Sequence, residues 1–269
     1  MPEVPDPYAF ISKADDAVQA RLAGVLELRA ADPQQRAMLN AYLSEIALPR
    51  EAIALDVGCG TGAVTRVLAE MPGIQEVVGI DPSPIFVEKA RELAKDLARL
   101  SFQTGDGRTL PFADASFDVV VFHTTLCHVP DVEQALREAR RVLPAGGWLA
   151  VFDGDYVTAT VANDTFDPLQ RTVDAMVANF VHDPWLTRRL RKMLGSLGFT
   201  VTSFRSYRYT QTTEPTYMLT LVDRGADLLA AAGSIGAEQA EALKSEARRR
   251  ATAGEFFGHI SFVSVLARK

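Results

Sequence analysis

The chain has 269 residues, of which 28 are lysine or arginine and 34 are aspartate or glutamate, so its formal net charge at pH 7 is −6. One domain per roughly 150 residues allows one or two domains, and α/β chains of this length commonly fold as one unit. Because the chain is acidic and has no basic tract, we expect neither nucleic acid nor an anionic membrane surface among its partners.

The N-terminal part is predicted to be mostly helical. Prolines among the first 12 residues favour an extended arm, and a helix is expected from about Ala14 to Arg29. Asp32-Pro33 then provides an N-cap and a first helical residue for a second helix, which ends near Ile46. Residues 1–49 therefore form a separate N-terminal helical segment.

From Ala52 onward, short apolar runs alternate with amphipathic helices, which is typical of a parallel sheet covered on both faces. Ser83-Pro84 and Asp131 are predicted to begin two of these helices. Further helices are expected over about 168–197, 217–232 and 237–253. The strand candidates are 53–57, 76–80, 100–103, 117–122, 148–152, 199–205 and 259–267.

This pattern predicts a doubly wound α/β core over residues 50–269. Within it, residues 156–198 and 210–255 are predicted to be helical insertions. No linker composition separates them from the core, so we expect them to belong to the same domain.

A glycine-rich loop, LDVGCGTG, follows the first predicted strand at residues 55–62. Glycines at such a turn let the backbone approach a ligand closely and expose the amides of the next helix to it. Gly58, Gly60 and Ala63 also satisfy the dinucleotide fingerprint, and a purely structural tight turn is a further alternative. The loop alone therefore leaves the ligand open.

Two carboxylates near the loop narrow the choice of ligand. Asp56, two positions before the first glycine, would repel a pyrophosphate, but it could orient the loop amides around a ligand that ends in an amino acid. Asp81 ends the second strand, where a carboxylate can accept hydrogen bonds from both ribose hydroxyls. Capping of the following helix is the alternative role for Asp81. An adenosine ligand is favoured, and NAD and S-adenosylmethionine both remain open.

Six elements complete an ordered pattern: LDVGCGTG, GIDPS, Gly105-Asp106-Gly107, LPFADASFDVVV, the stretch from His123 to Asp131, and RVLPAGG. With this order and spacing, residues 50–153 resemble the class I S-adenosylmethionine-dependent methyltransferases. The group they resemble acts on small molecules and includes ubiquinone and menaquinone C-methyltransferases and natural-product O-methyltransferases. Pro144-Ala145 departs from the usual Lys-Pro, at a surface turn.

The resemblance implies a fold and a cofactor. The fold would be α/β, with a doubly wound, mostly parallel, seven-stranded Rossmann-like sheet whose last strand is antiparallel. Residues 1–49 would cover the cofactor, S-adenosyl-L-methionine, as a helical lid, and the C-terminal insertions would lie on the substrate side. Tyr8 and Arg29 are our candidates for contacts from the lid.

The resemblance also implies which residues contact the cofactor. The methionine portion would lie on the glycine loop, formed by Gly58, Cys59, Gly60 and Gly62. His123 and Thr124 would meet the methionine amino group. The adenosine portion would be bound by Asp81 at the ribose, Pro82 on the adenine face, and Asp106 and the Gly107 amide at the adenine nitrogens.

Methyl transfer is a displacement at a sulfonium carbon, so alignment of the reactants is expected to provide most of the catalysis, roughly 7–11 kcal/mol. A hydroxyl acceptor would also need a general base. His128, after the fourth strand, is expected to be that base, because a histidine pKa of about 6.5 suits neutral pH. Asp153, after the fifth strand, would orient His128 or act as a second base. Alternatively, both are structural: His128 caps the next helix and Asp153 binds loop amides.

The acceptor is expected to be lipophilic or aromatic, since the C-terminal third is rich in large apolar side chains. These are Phe166, Met176, Phe180, Trp185, Tyr209, Tyr217, Met218, Phe256 and Phe257. Three arginines, Arg188, Arg189 and Arg191, could meet an acidic group of the substrate, although a solvated helix face is the favoured explanation for them. No metal site is predicted, because His123, Cys127 and His128 lack the paired spacing of metal-ligand motifs.

The sequence thus predicts an enzyme that moves a methyl group from S-adenosylmethionine to an oxygen or carbon of a small molecule. An NAD-dependent oxidoreductase, and a binding or cyclase-like member of the fold that does not methylate, are the alternatives. Two cysteines fit a reducing compartment, and no apolar run approaches the roughly 18 residues of a membrane span. We expect a cytoplasmic monomer or homodimer.

Overall fold

A computed structural model describes residues 6–269 of the chain. The strands of this part are β1 Ala52–Val57, β2 Ile74–Asp81, β3 Leu100–Thr104, β4 Val119–His123, β5 Trp148–Thr160, β6 Thr200–Gln211 and β7 Gly258–Arg268. Its α-helices are α1 Asp16–Ala31, α2 Pro33–Leu43, α3 Ala63–Glu70, α4 Pro84–Leu93, α5 Val132–Val142, α6 Gln170–Phe180, α7 Leu186–Ser196, α8 Thr216–Ala231 and α9 Ala237–Ala253. Short 3-10 helices lie at Ile11–Lys13 and Leu126–His128.

The strands form one sheet in the order β3-β2-β1-β4-β5-β7-β6. The first five strands in this order pair in parallel, and β7 runs antiparallel to both β5 and β6. The central strands β1 and β4 are almost entirely buried, as expected where helices cover both faces of a parallel sheet. The predicted seven-stranded Rossmann-like fold is confirmed.

The N-terminal helices lie over one end of this sheet. Asp32 caps α2 as predicted, because one of its carboxylate oxygens accepts hydrogen bonds from the amides of Gln34 and Gln35, at 2.8 and 3.1 Å. The other oxygen accepts from the Tyr209 hydroxyl of β6 at 2.9 Å. The cap therefore also ties the N-terminal helices to the far edge of the sheet.

The segment before α1 differs from the predicted extended arm. Residues 7–10 form turns that lead into the 3-10 helix Ile11–Lys13, and the two earliest prolines, Pro2 and Pro5, lie outside the described residues. Ile11 is buried in a cluster with Leu22 and Phe86, so apolar contact folds the segment back onto α1.

Two differences concern the insertion predicted at 156–198. Strand β5 continues to Thr160, so the insertion begins after that residue. The helical region predicted over 168–197 is divided into α6 and α7, which are separated by Asp183-Pro184. Proline has no amide hydrogen and disfavours helical geometry in the residue before it, which explains the break.

The helical insertions pack closely on one another. A Cβ atom added to Gly225 of α8 would lie 1.7 Å from the carbonyl oxygen of Thr172 in α6, so the two helices meet there at backbone distance. None of the helices in residues 6–269 combines the length and the apolar composition needed to cross a bilayer.

Candidate active site

A cavity of about 240 Å³ lies between the sheet, the N-terminal helices and the C-terminal insertion. The carboxyl ends of β1, β2 and β4 form its floor, which is where ligands bind in open parallel sheets. Most of the predicted site residues line it: Tyr8, Arg29, Asp56, Gly58, Cys59, Gly60, Asp81, Pro82, Asp106, Gly107, His123, Thr124 and His128. Two predicted residues, Gly62 and Asp153, do not.

The glycines of the loop serve two purposes. Gly58 and Gly60 have φ angles of +72° and +53°, and a Cβ atom on Gly60 would lie 2.8 Å from Leu26 of α1. Gly60 therefore brings the loop backbone close to α1, whereas a Cβ atom on Gly58 would lie 2.2 Å from the Thr125 side chain after β4. Gly62 caps α3 with a φ of +79°, and its Cβ would lie 2.8 Å from the Phe102 ring. Its role is packing between a helix and a strand rather than lining the cavity.

Asp81, and not Asp56, holds the loop amides. Its carboxylate accepts hydrogen bonds from the amides of Gly60 and Ser83, both at 2.9 Å. Asp56 instead accepts from the Thr65 hydroxyl at 2.6 Å, so the predicted orienting role falls to the other carboxylate. Asp81 does not cap the following helix, because Ser83 is the N-cap of α4 and accepts from the Phe86 amide at 3.1 Å. Each Asp81 oxygen retains a lone pair for a ligand hydroxyl.

Both carboxyl groups are buried without a cationic partner in the described part of the chain. Burial raises the pKa of Asp56 to about 7, an effect that the Thr65 hydroxyl opposes and the nearby Asp81 charge reinforces. Burial raises the pKa of Asp81 to about 6, although the amides of Ser83 and Gly60 stabilise its ionised form. A cation placed here would favour ionisation of both groups.

The end of β4 is held rigidly by aromatic stacking. The His123 ring lies 4.6 Å from the Phe152 ring at an interplanar angle of 11°, and its Nδ1 is 2.9 Å from the Tyr42 hydroxyl. Burial, together with the positive charge of Arg29, holds the pKa of His123 well below its usual value, so the imidazole is neutral. Thr124 has a φ of +53°, and its hydroxyl accepts a hydrogen bond from Arg29 of the lid.

Asp106 and Gly107 also line the cavity. Asp106 receives hydrogen bonds from the Arg108 guanidinium, at 2.6–3.1 Å, and from its amide at 2.8 Å. These bonds lower the pKa of Asp106, so it is an ionised acceptor on the cavity wall. A Cβ on Gly107 would lie 2.6 Å from Val57, which explains the glycine through close packing against β1.

His128 has a carboxylate partner, but this partner is Asp6 rather than Asp153. The distance from His128 Nδ1 to Asp6 Oδ2 is 2.7 Å, and both side chains are mostly buried. Asp153 is fully buried, and its two oxygens accept from the amides of Cys127 and Gly154, at 3.0 and 2.9 Å. The pairing of His128 with Asp153 was therefore wrong, and Asp153 has the structural contacts foreseen as its alternative role.

The insertion contributes the apolar end of the cavity. Its wall includes Tyr156, Met176, Phe180, Tyr217, Leu221 and Arg224. Met176, Phe180 and Tyr217 belong to the predicted substrate set, whereas Phe166 and Trp185 are 91% and 51% exposed and lie elsewhere.

The arginine group of α7 lies on the surface. Arg188 pairs with Asp155 and stacks on Trp185, Arg189 pairs with Asp183, and Arg191 stacks over the Phe204 ring. These three arginines thus form a solvated face of α7. No group of three or more His, Cys, Asp or Glu side chains within residues 6–269 has a metal-binding arrangement.

Sequence reasoning missed several residues of the site. Asp6 reaches His128 across 122 positions of sequence, and nothing in its local sequence marks it. Glu27 of α1 accepts hydrogen bonds from the Thr61 hydroxyl and the Arg66 guanidinium, so it joins the lid to the glycine loop. Glu27 lies two residues before Arg29, and residues at this spacing do not share a helix face, so the prediction for Arg29 gave no signal for Glu27.

Comparisons with known proteins show which families this chain is similar to. Residues 55–151 match the sequence model of a family described as Methyltransferase domain. The 2-phytyl-1,4-naphtoquinone methyltransferase of Thermosynechococcus vestitus is 39% identical over 107 residues, which cover 39% of this chain and 48% of that protein. The chain spans about half the length of the curated relatives it matches.

Solved structures share the fold over most of the chain. A candidate methyltransferase of Bacillus halodurans C-125 has a TM-score of 0.62 at 21% identity, covering 86% of this chain and 98% of that one. The cyclase SpnF has a TM-score of 0.55 at 23% identity, covering 87% of this chain and 80% of that one. The fold is therefore the Rossmann-like methyltransferase fold. The resemblance to class I S-adenosylmethionine-dependent methyltransferases, quinone methyltransferases among them, is confirmed.

Proposed function

We propose that the protein transfers a methyl group from S-adenosylmethionine to an oxygen or carbon of a small lipophilic or aromatic molecule. The observation that carries this proposal is one continuous cavity. At one end lie the glycine loop, Asp81 and Asp106, and at the other lie the apolar side chains of α6 and α8. A nucleoside-bearing donor and an apolar acceptor could therefore meet inside the same enclosure.

The donor end suits a cationic adenosine ligand. Asp56 and Asp81 are buried carboxyl groups with raised pKa values, and a positive ligand would offset the cost of ionising them. Asp81 and Asp106 provide acceptors for ribose hydroxyls and an adenine amino group. When bound, S-adenosylmethionine would supply an activated methyl group on a sulfonium with a neutral thioether as leaving group.

The lid closes this end of the cavity. Tyr8 and Arg29 line the cavity, and Arg29 donates a hydrogen bond to Thr124 at the end of β4. Glu27 fixes the same helix to the glycine loop through Thr61, at 2.5 Å. Exclusion of water and alignment of the two reactants are the main contributions expected from the chain.

His128 is the proposed general base. Its Nδ1 lies 2.7 Å from Asp6, so the Nδ1 proton is directed at that carboxylate and Nε2 can accept a proton from the acceptor. Asp6 is the proposed positioning residue, since a carboxylate fixes the tautomer and stabilises the imidazolium that forms. Asp6 is itself fixed, because it also accepts hydrogen bonds from the amides of Tyr8 and His182.

The apolar end of the cavity, with its aromatic side chains, supports an aromatic acceptor. The similarity to a naphtoquinone methyltransferase supports one of quinol type. A ring carbon of such an acceptor would need mainly proton removal, and a ring hydroxyl would need the base directly. Met176, Phe180 and Leu221 would contact the ring system.

The decisive experiment measures ligand binding and turnover together. Equilibrium dialysis of the purified chain should show binding of S-adenosylmethionine and no comparable binding of NAD. Incubation with donor carrying a carbon-13 methyl group and a metabolite extract should then yield products that gain one labelled methyl. Preference for NAD would support the oxidoreductase alternative. Donor binding without any labelled product would support a cyclase-like role, as the shared fold of SpnF allows.

Substitution of the base tests the proposed mechanism. His128→Ala should reduce kcat by about two to four orders of magnitude while donor affinity stays unchanged. Asp6→Asn should reduce kcat less, because asparagine can still accept a hydrogen bond from His128 Nδ1 but lacks the charge that stabilises the imidazolium. His259→Ala, which alters a histidine outside the cavity, is the control. Wild-type turnover in both test variants would exclude the proposed base.

A further inference from the structure

Arg224 of α8 has an unusual environment at the acceptor end of the cavity. Its guanidinium stacks over the Phe180 ring, with its Cζ 5.4 Å from the ring centroid. Its Nη2 atom is buried and has no hydrogen-bond partner among residues 6–269, and no carboxylate of that range pairs with it. A buried donor without an acceptor destabilises the folded chain, and more so when the donor is charged.

The other arginines of the cavity wall are satisfied by protein groups. Arg108 forms a fork with Asp106, and Arg29 donates to the Thr124 hydroxyl at the donor end. Neither Arg29 nor Arg224 pairs with a carboxylate of residues 6–269, but of the three cavity arginines only Arg224 has a buried N–H group without an acceptor. Another part of its guanidinium is hydrogen-bonded to the Tyr8 hydroxyl. Stacking on Phe180 occupies the face of its guanidinium and leaves the N–H edge available.

The surroundings of Arg224 specify the shape of such a ligand. Met176, Phe180 and Leu221 form an apolar wall, which suits a flat ring. Burial raises the pKa of Tyr8, and the positive charge of the neighbouring Arg224 partly offsets that rise. Tyr8 thus remains a phenol that can donate a second hydrogen bond beside the guanidinium.

We propose that Arg224 binds a carboxylate of the methyl acceptor, so that the acceptor is an aromatic or lipophilic acid. This inference rests on the proposed function for the identity of the reaction, but the anion site itself does not require it. Arg224 carries one positive charge and has no carboxylate partner in the described chain, so it suits a ligand group with one negative charge. A phosphate monoester carries about −1.5 to −2 at pH 7, which is more negative charge than one guanidinium balances.

The test uses three probes of one shape: 2-naphthoate, its neutral amide 2-naphthamide, and 2-naphthyl phosphate. Calorimetric titration of the purified chain, with S-adenosylhomocysteine present, should show at least tenfold tighter binding of the acid than of the amide. Arg224→Met should reduce this preference to less than about twofold, and Arg224→Lys should retain part of it. Melting temperatures identify any variant that fails to fold. If Arg224→Met fails to fold, the proposal is tested by the affinities of the wild-type chain for acid and amide and by the same comparison in Arg224→Lys.

Arg191→Met is the matched control, because Arg191 also stacks on a phenylalanine, Phe204 at 5.2 Å, but lies outside the cavity. It should keep the full preference for the acid. Any of four results would overturn the proposal. In the wild-type chain these are equal binding of acid and amide, no binding of the acid, or tighter binding of the phosphate. The fourth is an unchanged preference for the acid in Arg224→Met. Failure to bind S-adenosylmethionine, with the preference for the acid intact, would overturn the proposed function alone.

Discussion

Asp56 is a carboxyl group that is buried without a cation, so it keeps its proton to a higher pH than an exposed aspartate does. Burial raises its pKa to about 7, and the ordinary value is near 4. The folded chain therefore binds more protons than the unfolded chain between these values. Consequently the stability contributed by the protonated form is present at low pH and is lost as the pH rises toward 7.

The same shift makes donor binding depend on pH. A cationic donor favours ionised Asp56, so binding should release a proton below pH 7 and affinity should rise by at most about tenfold per pH unit from pH 5 to 7. Titration calorimetry in buffers of different ionisation enthalpy measures that proton. Asp56→Asn should remove the dependence between pH 6 and 7 and leave the part below pH 6 to which Asp81 contributes, whereas Asp114→Asn, a change to an exposed ion pair with Arg141, should preserve the whole profile. A flat profile in the wild-type chain would contradict the prediction.

The individual residues of the site differ in how far the sequence predicts them. The glycine loop, Asp81 and Asp106 are recognised because their chemistry resides in short segments at the ends of strands. The contact of His128 with Asp6 joins residues 122 positions apart, and it depends on how the turns at residues 7–10 pack on the core. Local sequence contains no information on that packing, which is why Asp153, the carboxylate at the nearest strand end, was chosen instead.

At the level of secondary structure, hydrophobic periodicity places every strand and most helices of the described chain. It fails where tertiary pairing overrides composition. Asp153-Gly154-Asp155 has the composition of a loop, yet β5 continues through it because β7 offers hydrogen-bond partners as far as Asp155 and again at Thr160. The break between α6 and α7 shows the reverse case, in which one local signal, Pro184, interrupts a long apolar pattern.

The contact of α6 with α8 gives a prediction for stability. Gly225→Ala would place a methyl group 1.7 Å from the Thr172 carbonyl oxygen, so the helices must separate. We expect a loss of at least the 1–3 kcal/mol that is typical of overpacking, measured by denaturant unfolding. The matched control is Gly195→Ala in α7, where an added Cβ meets nothing within 4 Å. That change should stabilise the chain by about 0.5–1 kcal/mol. Equal effects of the two changes would contradict this account of the packing.

Across the whole molecule, α2 packs into the main apolar core, whereas α1 meets the glycine loop through polar contacts. Glu27 links α1 to the glycine loop, and its ion pair with Arg66 has an N–O distance of 2.9 Å and is about a quarter to a third exposed. Such a partly exposed contact contributes about 0.5–1.5 kcal/mol. Opening of the lid should therefore be sensitive to this one residue.

Glu27→Gln should accelerate donor dissociation by about two- to tenfold, measured by stopped-flow displacement, and should increase hydrogen exchange along α1. Glu133→Gln removes an exposed ion pair with Arg137 on α5, away from the lid, and is the control. If the dissociation rate of the Glu27 variant equals that of the wild-type chain, the contact does not hold the lid.

The position of β7 between β5 and β6 constrains the order in which the chain can assemble. Strand β6 is made before β7 during synthesis, yet its sheet partner is β7, so β6 must wait with both edges unpaired until residues 258–268 have emerged from the ribosome. Unpaired strand edges are templates for intermolecular association. Nascent chains arrested between residues 211 and 258 should accordingly be the species most dependent on chaperones.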